Sequence, residues 1–255
     1  MQKIIKFYAL LFLLVSCFTA NAQEEKVKEK HKEESAVKKD IIKINLSALF
    51  LKNISVQYER QTGKKSSFAL NIHTIPFGQL PFQSTFKDIG GSSSSVQYSQ
   101  FKLGSFGVIP EYRFYLSKGN LHGFYIGPFV SYSNYKMNLP VNYSNNSKTG
   151  IFNGNLDAFT GGLQFGAQFN FGKSVTLDWW IVGPNYGSAT GTLSLTAALS
   201  QSDQSDLSTQ LKNIQDDAPL NTIKSYSVTS TGATVVAKGP WAGLRGLGFS
   251  LGIKF

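Results

Sequence analysis

The sequence predicts an all-β protein: an eight-stranded antiparallel transmembrane up-and-down β-barrel, with a short helix in its last outer loop. Three observations predict this fold. Eight segments after residue 40 alternate apolar and polar residues with a period of two, the pattern typical of strands. The apolar positions are rich in Phe and Tyr, whereas the opposite positions carry Gly, Ser, Asn, Gln and charged residues. Short and long connections alternate between the segments, as in bacterial outer-membrane barrels.

The first segment, residues 1–22, predicts an export signal. Two lysines precede a short apolar core at 7–17, and Ala20-Asn21-Ala22 is a cleavage site of the small-x-small type. A second processing route stays open, because Leu14-Val15-Ser16-Cys17 resembles a lipobox. In that case Cys17 would be lipidated and would become the mature N-terminus.

The next segment, residues 23–40, contains six Lys and six acidic residues and almost no apolar positions. It predicts a solvated periplasmic tether, with a partner-binding arm as the alternative. The tether has no net charge and the signal contributes two lysines, so of the formal charge of +10 a net +8 falls within residues 41–255. An exported basic domain is expected to contact anionic lipid or lipopolysaccharide, and not nucleic acid.

The barrel is predicted over residues 41–255. By their alternating apolar positions, its strands are 42–48, 54–58, 68–72, 106–116, 124–132, 163–171, 175–181 and 247–255. A soluble sandwich also alternates, but an aromatic-rich face opposite a mixed polar face fits a barrel with lipid outside. Such a sheet must close, because an open edge in lipid leaves backbone groups unpaired.

The connections predict the orientation of the barrel. The tight turns are 62–65, 117–121 and 172–174, and the long connections are 76–99, 137–152 and 184–240, while 50–52 is a short first outer loop. Periplasmic turns of such barrels are short and outer loops are long, so both ends of the barrel and the tether are expected on the periplasmic side.

The last long connection contains a predicted helix at 202–215. Leu207, Leu211 and Ile214 recur at helical spacing, and acidic residues near the start suit the helix dipole. A long loop with its own secondary structure is often functional. The apolar face of this helix is expected to cap the barrel, to lie on lipopolysaccharide or to contact a partner.

A family resemblance rests on several of these features together. The chain ends on the aromatic Phe255, in the kind of terminal strand that the barrel-assembly machinery recognises. Signal, tether, eight strands and this ending resemble the small outer-membrane β-barrel proteins of OmpA/OmpX-like form. Lys43-Ile44-Asn45-Leu46, the run 53–59 and the run 178–184 resemble more narrowly an uncharacterised outer-membrane barrel family of Bacteroidetes. The resemblance implies location in the bacterial outer membrane but carries no agreed activity.

The polar face of the strands predicts a luminal network. Its members are Lys43, Glu59, His73, Glu111, Arg113, Asp178 and Lys254. An eight-stranded barrel is just wide enough inside to be filled by side chains, so these charges are expected to pair in a packed core. A narrow ion path along the same charges stays open as an alternative.

Candidate catalytic residues are few. Among the three histidines only His73, near the outer end of the third strand, is placed for lipid chemistry. The spacing of residues in the sequence identifies no serine or acidic residue as its catalytic partner. No spacing typical of metal ligands is present, so we expect no enzyme activity, no metal and no cofactor. Trp179 and Trp180 on the seventh strand are expected to be anchors at the membrane interface, with one ring facing lipid and the other the lumen.

These patterns predict a structural or interaction role, exerted through the extracellular loops or as an accessory of a membrane complex. Two alternatives remain: a narrow passive pore for ions or small solutes, and a lipid-modifying outer-membrane enzyme. The expected partners are outer-membrane lipid, lipopolysaccharide, the barrel-assembly machinery and a protein partner at the outer loops.

Overall fold

The computed structural model describes residues 38–79, 81, 97, 100–117, 121–144, 147–217 and 223–255. The predicted signal and most of the predicted tether therefore lie outside the described residues. The strands are β1 (Asp40–Asn45), β2 (Ile54–Gln61), β3 (Ser66–Gln79), β4 (Lys102–Tyr115), β5 (Gly123–Tyr143), β6 (Lys148–Phe171), β7 (Val175–Thr196), β8 (Ile223–Thr229) and β9 (Gly232–Lys254). The helices are α1 (Leu46–Leu49) and α2 (Gln201–Asp217). No helix in the described part of the chain is long and apolar enough to cross a membrane.

The strands form a closed antiparallel ring. β1 to β7 pair in sequence order, β7 pairs with β9, and β9 pairs with β1 from Ile41–Lys254 to Asn45–Ser250. The predicted all-β, antiparallel, up-and-down arrangement of eight strands is thus confirmed. The additional strand β8 lies outside the ring and pairs only with Gly232–Ala237 of β9.

The ring is staggered, so its strands tilt. Residues of each strand have partners on the next strand. If these partners are followed from Ile44 of β1 through the strands in turn, the last one, on β9, is Pro240. β1, however, pairs Ile44 with Leu251. A barrel accommodates such an offset between its first and last strand by inclining the strands to its axis. We call the end that carries the chain terminus Phe255 the base and the end that carries α2 the top.

Four strands are much longer than predicted. β5, β6, β7 and β9 have 21, 24, 22 and 23 residues, so most of the predicted loop 137–152 and both ends of the predicted loop 184–240 are strand. Three prolines in these strands each lie where one ladder is interrupted. Pro140 lies beyond the part of β5 that pairs with β4, Pro184 at a gap in the β6–β7 ladder, and Pro240 where β9 pairs only with β7. Proline is compatible with such edge positions, because it has no N–H to donate.

The turns at the base agree with the prediction, whereas the start of the barrel differs. Turns 62–65 and 172–174 connect β2 to β3 and β6 to β7; much of 117–121 and of the loop 76–99 lies outside the described residues. The predicted first strand continued to Ala48, but β1 ends at Asn45. The Asn45 side chain accepts a hydrogen bond from the Ala48 N–H at 2.9 Å and thereby caps α1 instead.

The predicted helix at 202–215 is present as α2, and its apolar face packs on the protein itself. Leu207 and Leu211 are buried at the top of the barrel, with Ile214 packed beside them. Their neighbours are the inward-facing apolar residues of the strand tops: Val141, Tyr143, Phe152, Leu195, Leu199, Ala233 and Val235. Of the three alternatives for this face, capping of the barrel agrees with the structure, whereas contact with lipopolysaccharide or a partner does not, because these residues fill a core that the long strands create.

The outer surface of the ring is apolar. Large apolar side chains face outward and are exposed on every ring strand; examples in order around the ring are Ile44, Val56, Phe68, Phe114, Phe124, Phe169, Val175 and Ile253. Tyrosines with polar partners lie at both limits of this apolar band. Near the base, the Tyr58 hydroxyl donates to Asp40 at 2.5 Å, and toward the top the Tyr132 hydroxyl donates to Asp157 at 2.7 Å.

Candidate functional site

Inside the base half of the ring lies a cluster of six charged residues, which we call the ionic cluster. Its members are Lys43 on β1, Glu59 on β2, Glu111 and Arg113 on β4, Asp178 on β7 and Arg245 on β9. Alternation along each strand turns all of these side chains except Arg245 inward, and pairing of neighbouring strands brings them to similar heights. All are fully buried except Arg245, whose side chain is 10% exposed.

Arg113 is the centre of the ionic cluster. Its Nη1 lies 2.6 Å from Asp178 Oδ2 and 3.4 Å from Glu59 Oε2, and its Nε donates to Glu111 Oε1 at 2.8 Å. Its guanidinium also lies 4.3 Å from the centre of the Tyr125 ring. One side chain thus joins all three carboxylates across the interior.

The two other cations complete the ionic cluster. Lys43 Nζ pairs with Glu59 and lies 2.6 Å from Asp178 Oδ2, and Arg245 Nη1 lies 2.8 Å from Glu111 Oε2. Three cations therefore face three carboxylates, and the cluster has no net charge. Such neutrality matters because an unpaired charge in the interior would cost several kcal/mol.

Neutral side chains complete the hydrogen bonding of the carboxylates and of the cations. Tyr115 donates to Glu59 at 2.6 Å, and Tyr125 donates to Asp178 at 2.8 Å. Gln57 accepts from Arg113 at 3.1 Å, and Gln168 accepts from Lys43 at 2.5 Å. These partners come from β2, β4, β5 and β6, so the network spans the interior from several sides.

A cavity of about 570 Å³ lies above the ionic cluster. Polar residues from several strands line it, among them Asn71, His73, Ser131, Ser133 and Thr160. Arg245 of the ionic cluster lines the cavity together with Trp180, and its guanidinium lies 4.0 Å from the centre of the Trp180 ring. The interior therefore changes from charged at the base, through this polar cavity, to apolar beneath α2.

Residues 8–187 match a family described as "Protein of unknown function (DUF3575)". This match covers more than half of the chain. The chain belongs to the DUF3575 family. No curated protein and no solved structure matches it.

The DUF3575 match contains five members of the ionic cluster but ends within β7, before α2, β8 and β9. It therefore covers the wall that supplies Lys43, Glu59, Glu111, Arg113 and Asp178. Arg245 and α2, which covers the strand tops and which we call the cap, belong to the part of the chain that follows.

The structure brings together five of the seven residues predicted for the luminal network. The other two lie beside it: His73 interacts electrostatically with Arg245, and Lys254 with Glu59 and Lys43. His73 lines the cavity, where Gly107 makes room for its ring: a Cβ at Gly107 would lie 2.2 Å from His73 Cε1. Lys254 is partly exposed near the base. His73 therefore belongs to the cavity and not to the ionic cluster.

The two tryptophans lie on opposite sides of the wall. Trp179 is half-buried and stacks on Phe249, with ring centres 5.9 Å apart. Trp180 is buried inside, against Arg245. Because the Trp180 ring lies in the interior, as expected for one of the two rings, the hypothesis of an interface anchor stays with Trp179.

The sequence prediction missed Arg245. Counted back from the end of the chain, the alternation of β9 turns Ser250 and Gly252 inward and would turn Arg245 outward. The alternation shifts by one residue at Leu247, whose φ is 54°. Because of this shift Arg245 faces the interior, while the register between β9 and β7 continues unbroken. A single arginine among apolar residues and glycines was the signal that could have found this position.

Proposed function

We propose that this protein is an integral β-barrel of the bacterial outer membrane, of OmpA/OmpX-like form, with its N-terminus in the periplasm. Its role is structural or interactive, through the surface of its outer cap or as an accessory of a membrane complex. The observation that carries the location is the apolar band, which surrounds the closed ring. Soluble monomers rarely expose apolar patches of more than a few hundred Å².

The dimensions of the apolar band support this location. On β7 it runs from Val175 to Tyr186, and on β5 from Phe124 to Tyr132. Tilted strands need about 9–11 residues to cross the hydrocarbon of a bilayer. The tyrosines at both limits of the band occupy the heights at which outer-membrane barrels carry aromatic girdles.

The charge distribution also favours a membrane with anionic head groups. The ionic cluster has no net charge, so the net +8 of residues 41–255 lies outside it. Basic residues near the base include Arg60, Lys64 and Lys173. Exposed cations near the head groups strengthen attachment to anionic lipid.

The ionic cluster weighs against the pore alternative. Its members on β1, β2, β4 and β7 meet within hydrogen-bond distance across the interior. An ion passing this level would have to separate fully buried pairs, which is costly in an interior of low dielectric constant. The barrel is therefore proposed to close its lumen.

The interaction role is assigned to the polar surface of the cap. The apolar residues of α2 are buried, whereas Ser202, Ser205, Thr209, Lys212 and Asn213 are exposed on the same helix. The long strands carry this surface above the apolar band. A partner outside the cell would meet these residues and not the leucines of α2.

The experiment that tests the location is the gel mobility of outer-membrane fractions, with and without boiling. We expect a heat-modifiable band, because a closed barrel stays folded in detergent until it is boiled. Purified protein in planar bilayers should show no single-channel conductance. Recovery of the chain in the soluble periplasmic fraction, without a heat shift, would refute the proposal, and steady conductance would favour the pore.

The attachment of α2 is expected to depend on pH. Ser200 and Asp203 form a capping box, in which Asp203 accepts from the Ser200 N–H at 3.2 Å and Ser200 Oγ accepts from the Asp203 N–H at 3.2 Å. Hydrogen bonds from Lys148 and Ser200 lower the pKa of Asp203 to about 2. Because the folded-state pKa is lowered, this stabilisation is complete above the unfolded pKa near 4 and is lost as the pH falls toward 2.

Hydrogen exchange of the α2 amides in detergent, corrected for intrinsic rates, measures this dependence. Protection should be constant between pH 7 and pH 5 and should fall between about pH 4 and pH 2. Asp203→Asn should lower protection at pH 7 and remove most of the dependence on pH. The same change at Asp216, which is exposed near the end of α2, serves as the control. Equal profiles for both variants would contradict the assignment to Asp203.

A further inference from the structure

We infer that the cavity binds the carbonyl end of a neutral acyl lipid, an ester or amide of a fatty acid, which enters through an opening in the barrel wall. This inference rests on the proposed membrane location, because the lipid would come from the bilayer. Three features of the described residues carry it: a stretch of β9 with a strand partner on one side, buried donors without acceptors, and the charge balance of the ionic cluster.

The opening lies beside β9. Among the described residues, β1 pairs with β9 only below Phe249, and β8 pairs with it only over Gly232–Ala237. The intervening stretch of β9 has a strand partner only on its β7 side. Opposite it lies the turn at α1, where Ser47 Oγ accepts from the Phe249 N–H at 2.8 Å. In the described part of the chain, no strand therefore closes the wall between α1 and β9 at this height.

The opening faces the apolar band. Leu244 and Leu247 line the cavity, yet they are 71% and 69% exposed on the outer surface. Leu51, beyond α1, lines the opposite side and is also exposed. The opening is close to the upper limit of the band, because Ala242 of β9 pairs with the exposed Tyr186. An apolar chain can therefore pass from hydrocarbon to cavity along leucines.

Two residues at the inner end of the cavity, Arg245 and Trp180, carry buried hydrogen-bond donors. Arg245 uses Nη1 to bind Glu111, but its Nε and Nη2 find no acceptor among the described residues, and neither does Trp180 Nε1. The guanidinium is held in place by its stacking on Trp180 and by Phe129, whose ring centre is 5.2 Å away. Buried donors of this kind are costly unless an acceptor reaches them, so the site is suited to a ligand oxygen.

The charge balance of the ionic cluster determines whether the ligand oxygen should be charged or neutral. Arg245 already counterbalances a carboxylate within the ionic cluster, whose three cations match three carboxylates. A carboxylate or phosphate ligand would add an uncompensated negative charge to this interior, which is unfavourable. A neutral carbonyl oxygen accepts from the same donors without adding charge. Its hydrocarbon chain would contact Phe129, Ile109 and the leucines of the opening.

Quenching of tryptophan fluorescence tests the site. The chain has three tryptophans, of which Trp180 and Trp241 line the cavity. In a Trp179→Phe background, both remaining reporters are therefore at the site. The probe is a monoacylglycerol brominated in its acyl chain, titrated into the detergent-solubilised full chain. We expect quenching that saturates, whereas a brominated alkane of equal length and an ionised brominated fatty acid should bind at least tenfold more weakly.

Two variants, with a third as the control, separate recognition of the carbonyl group from simple filling of the cavity. Arg245→Met removes the donors and should raise the half-saturating probe concentration about tenfold, as expected for one lost hydrogen bond. Lys238→Met, at an exposed position on the same strand, should leave it unchanged. Ser131→Phe places a ring in the cavity without touching Arg245 and should abolish the saturable quenching.

Several results would overturn the inference. Equal binding of the alkane together with indifference to Arg245→Met would mean that no carbonyl is recognised, and tighter binding of the ionised fatty acid would refute a neutral ligand. Saturable quenching that survives Ser131→Phe would place the ligand elsewhere. A heat-modifiable barrel without saturable quenching would refute this inference alone, whereas absence of the heat shift would refute the proposed membrane location.

Discussion

Replacing Arg113 by methionine is expected to destabilise the barrel by about 3–5 kcal/mol, the usual cost of removing one partner from a buried ion pair. Arg113 contacts Glu59, Glu111 and Asp178, so its loss leaves three buried carboxylates with only Lys43 and Arg245 as cations. The measurement is urea unfolding of the detergent-folded protein, followed by the heat-modifiable band. Much of the variant should run at the unfolded position under conditions that keep the parent folded.

The control for this experiment is Arg60→Met. Arg60 is also an arginine within a ring strand, but its side chain is 60% exposed and its nearest oxygen on Asp40 is 3.5 Å away. Exposed pairs of this kind contribute about 0–1 kcal/mol, so the unfolding midpoint should barely move. The double variant Glu111→Gln/Arg113→Met should recover part of the loss, because one uncompensated charge is removed. Equal midpoints for Arg113→Met and Arg60→Met would contradict the role given to the ionic cluster.

The closed ring could be predicted because alternation is a local property of the chain. Successive side chains of a strand point to opposite faces, so the face of each residue follows from its position along the strand. On β6, for example, Leu163 and Phe165 are exposed on the outer face, whereas Gln164 and Gln168 are buried inside. Closure then follows, because a strand edge without a partner leaves backbone N–H and C=O groups unpaired.

The lengths of the strands could not be predicted from alternation in the same way. The upper halves of β5, β6, β7 and β9 contain prolines, glycines, serines and threonines, which are also typical of loops. These residues are ordered as strands because each long strand pairs with another and because α2 covers their inner apolar face. Such support is tertiary and leaves no local signal in the sequence.

The candidate site was predicted in part for a similar reason. Lys43, Glu59, Glu111, Arg113 and Asp178 follow from alternation, since each is a charged residue on the inward face of a regular strand. Arg245 does not follow from it, because the shift at Leu247 depends on a single backbone conformation. The cavity depends on which stretch of β9 has a strand partner on its β7 side alone among the described residues, and that follows from the short length of β1.

Replacing Leu207 by aspartate is expected to detach α2 while the ring stays folded. Leu207 is fully buried in the apolar cluster at the top, so the substitution removes its packing and places a charge among Val141, Phe152 and Val235. Loss of a buried leucine costs about 2–5 kcal/mol, and burial of an unpaired charge adds to this cost. The helix should therefore leave the strand tops, since it contributes nothing to closure of the ring.

Limited proteolysis of whole cells combined with gel mobility measures this separation. Leu207→Asp should be cleaved within 200–217 at least tenfold faster than the parent, while the band stays heat-modifiable because the ionic cluster at the base is intact. Ser205→Asp puts the same charge on the exposed face of α2 and should be cleaved at the parental rate. Loss of the heat shift in Leu207→Asp would mean that the cap and the ring fold as one unit. Unchanged cleavage would mean that contacts other than the apolar cluster hold α2 on the strand tops.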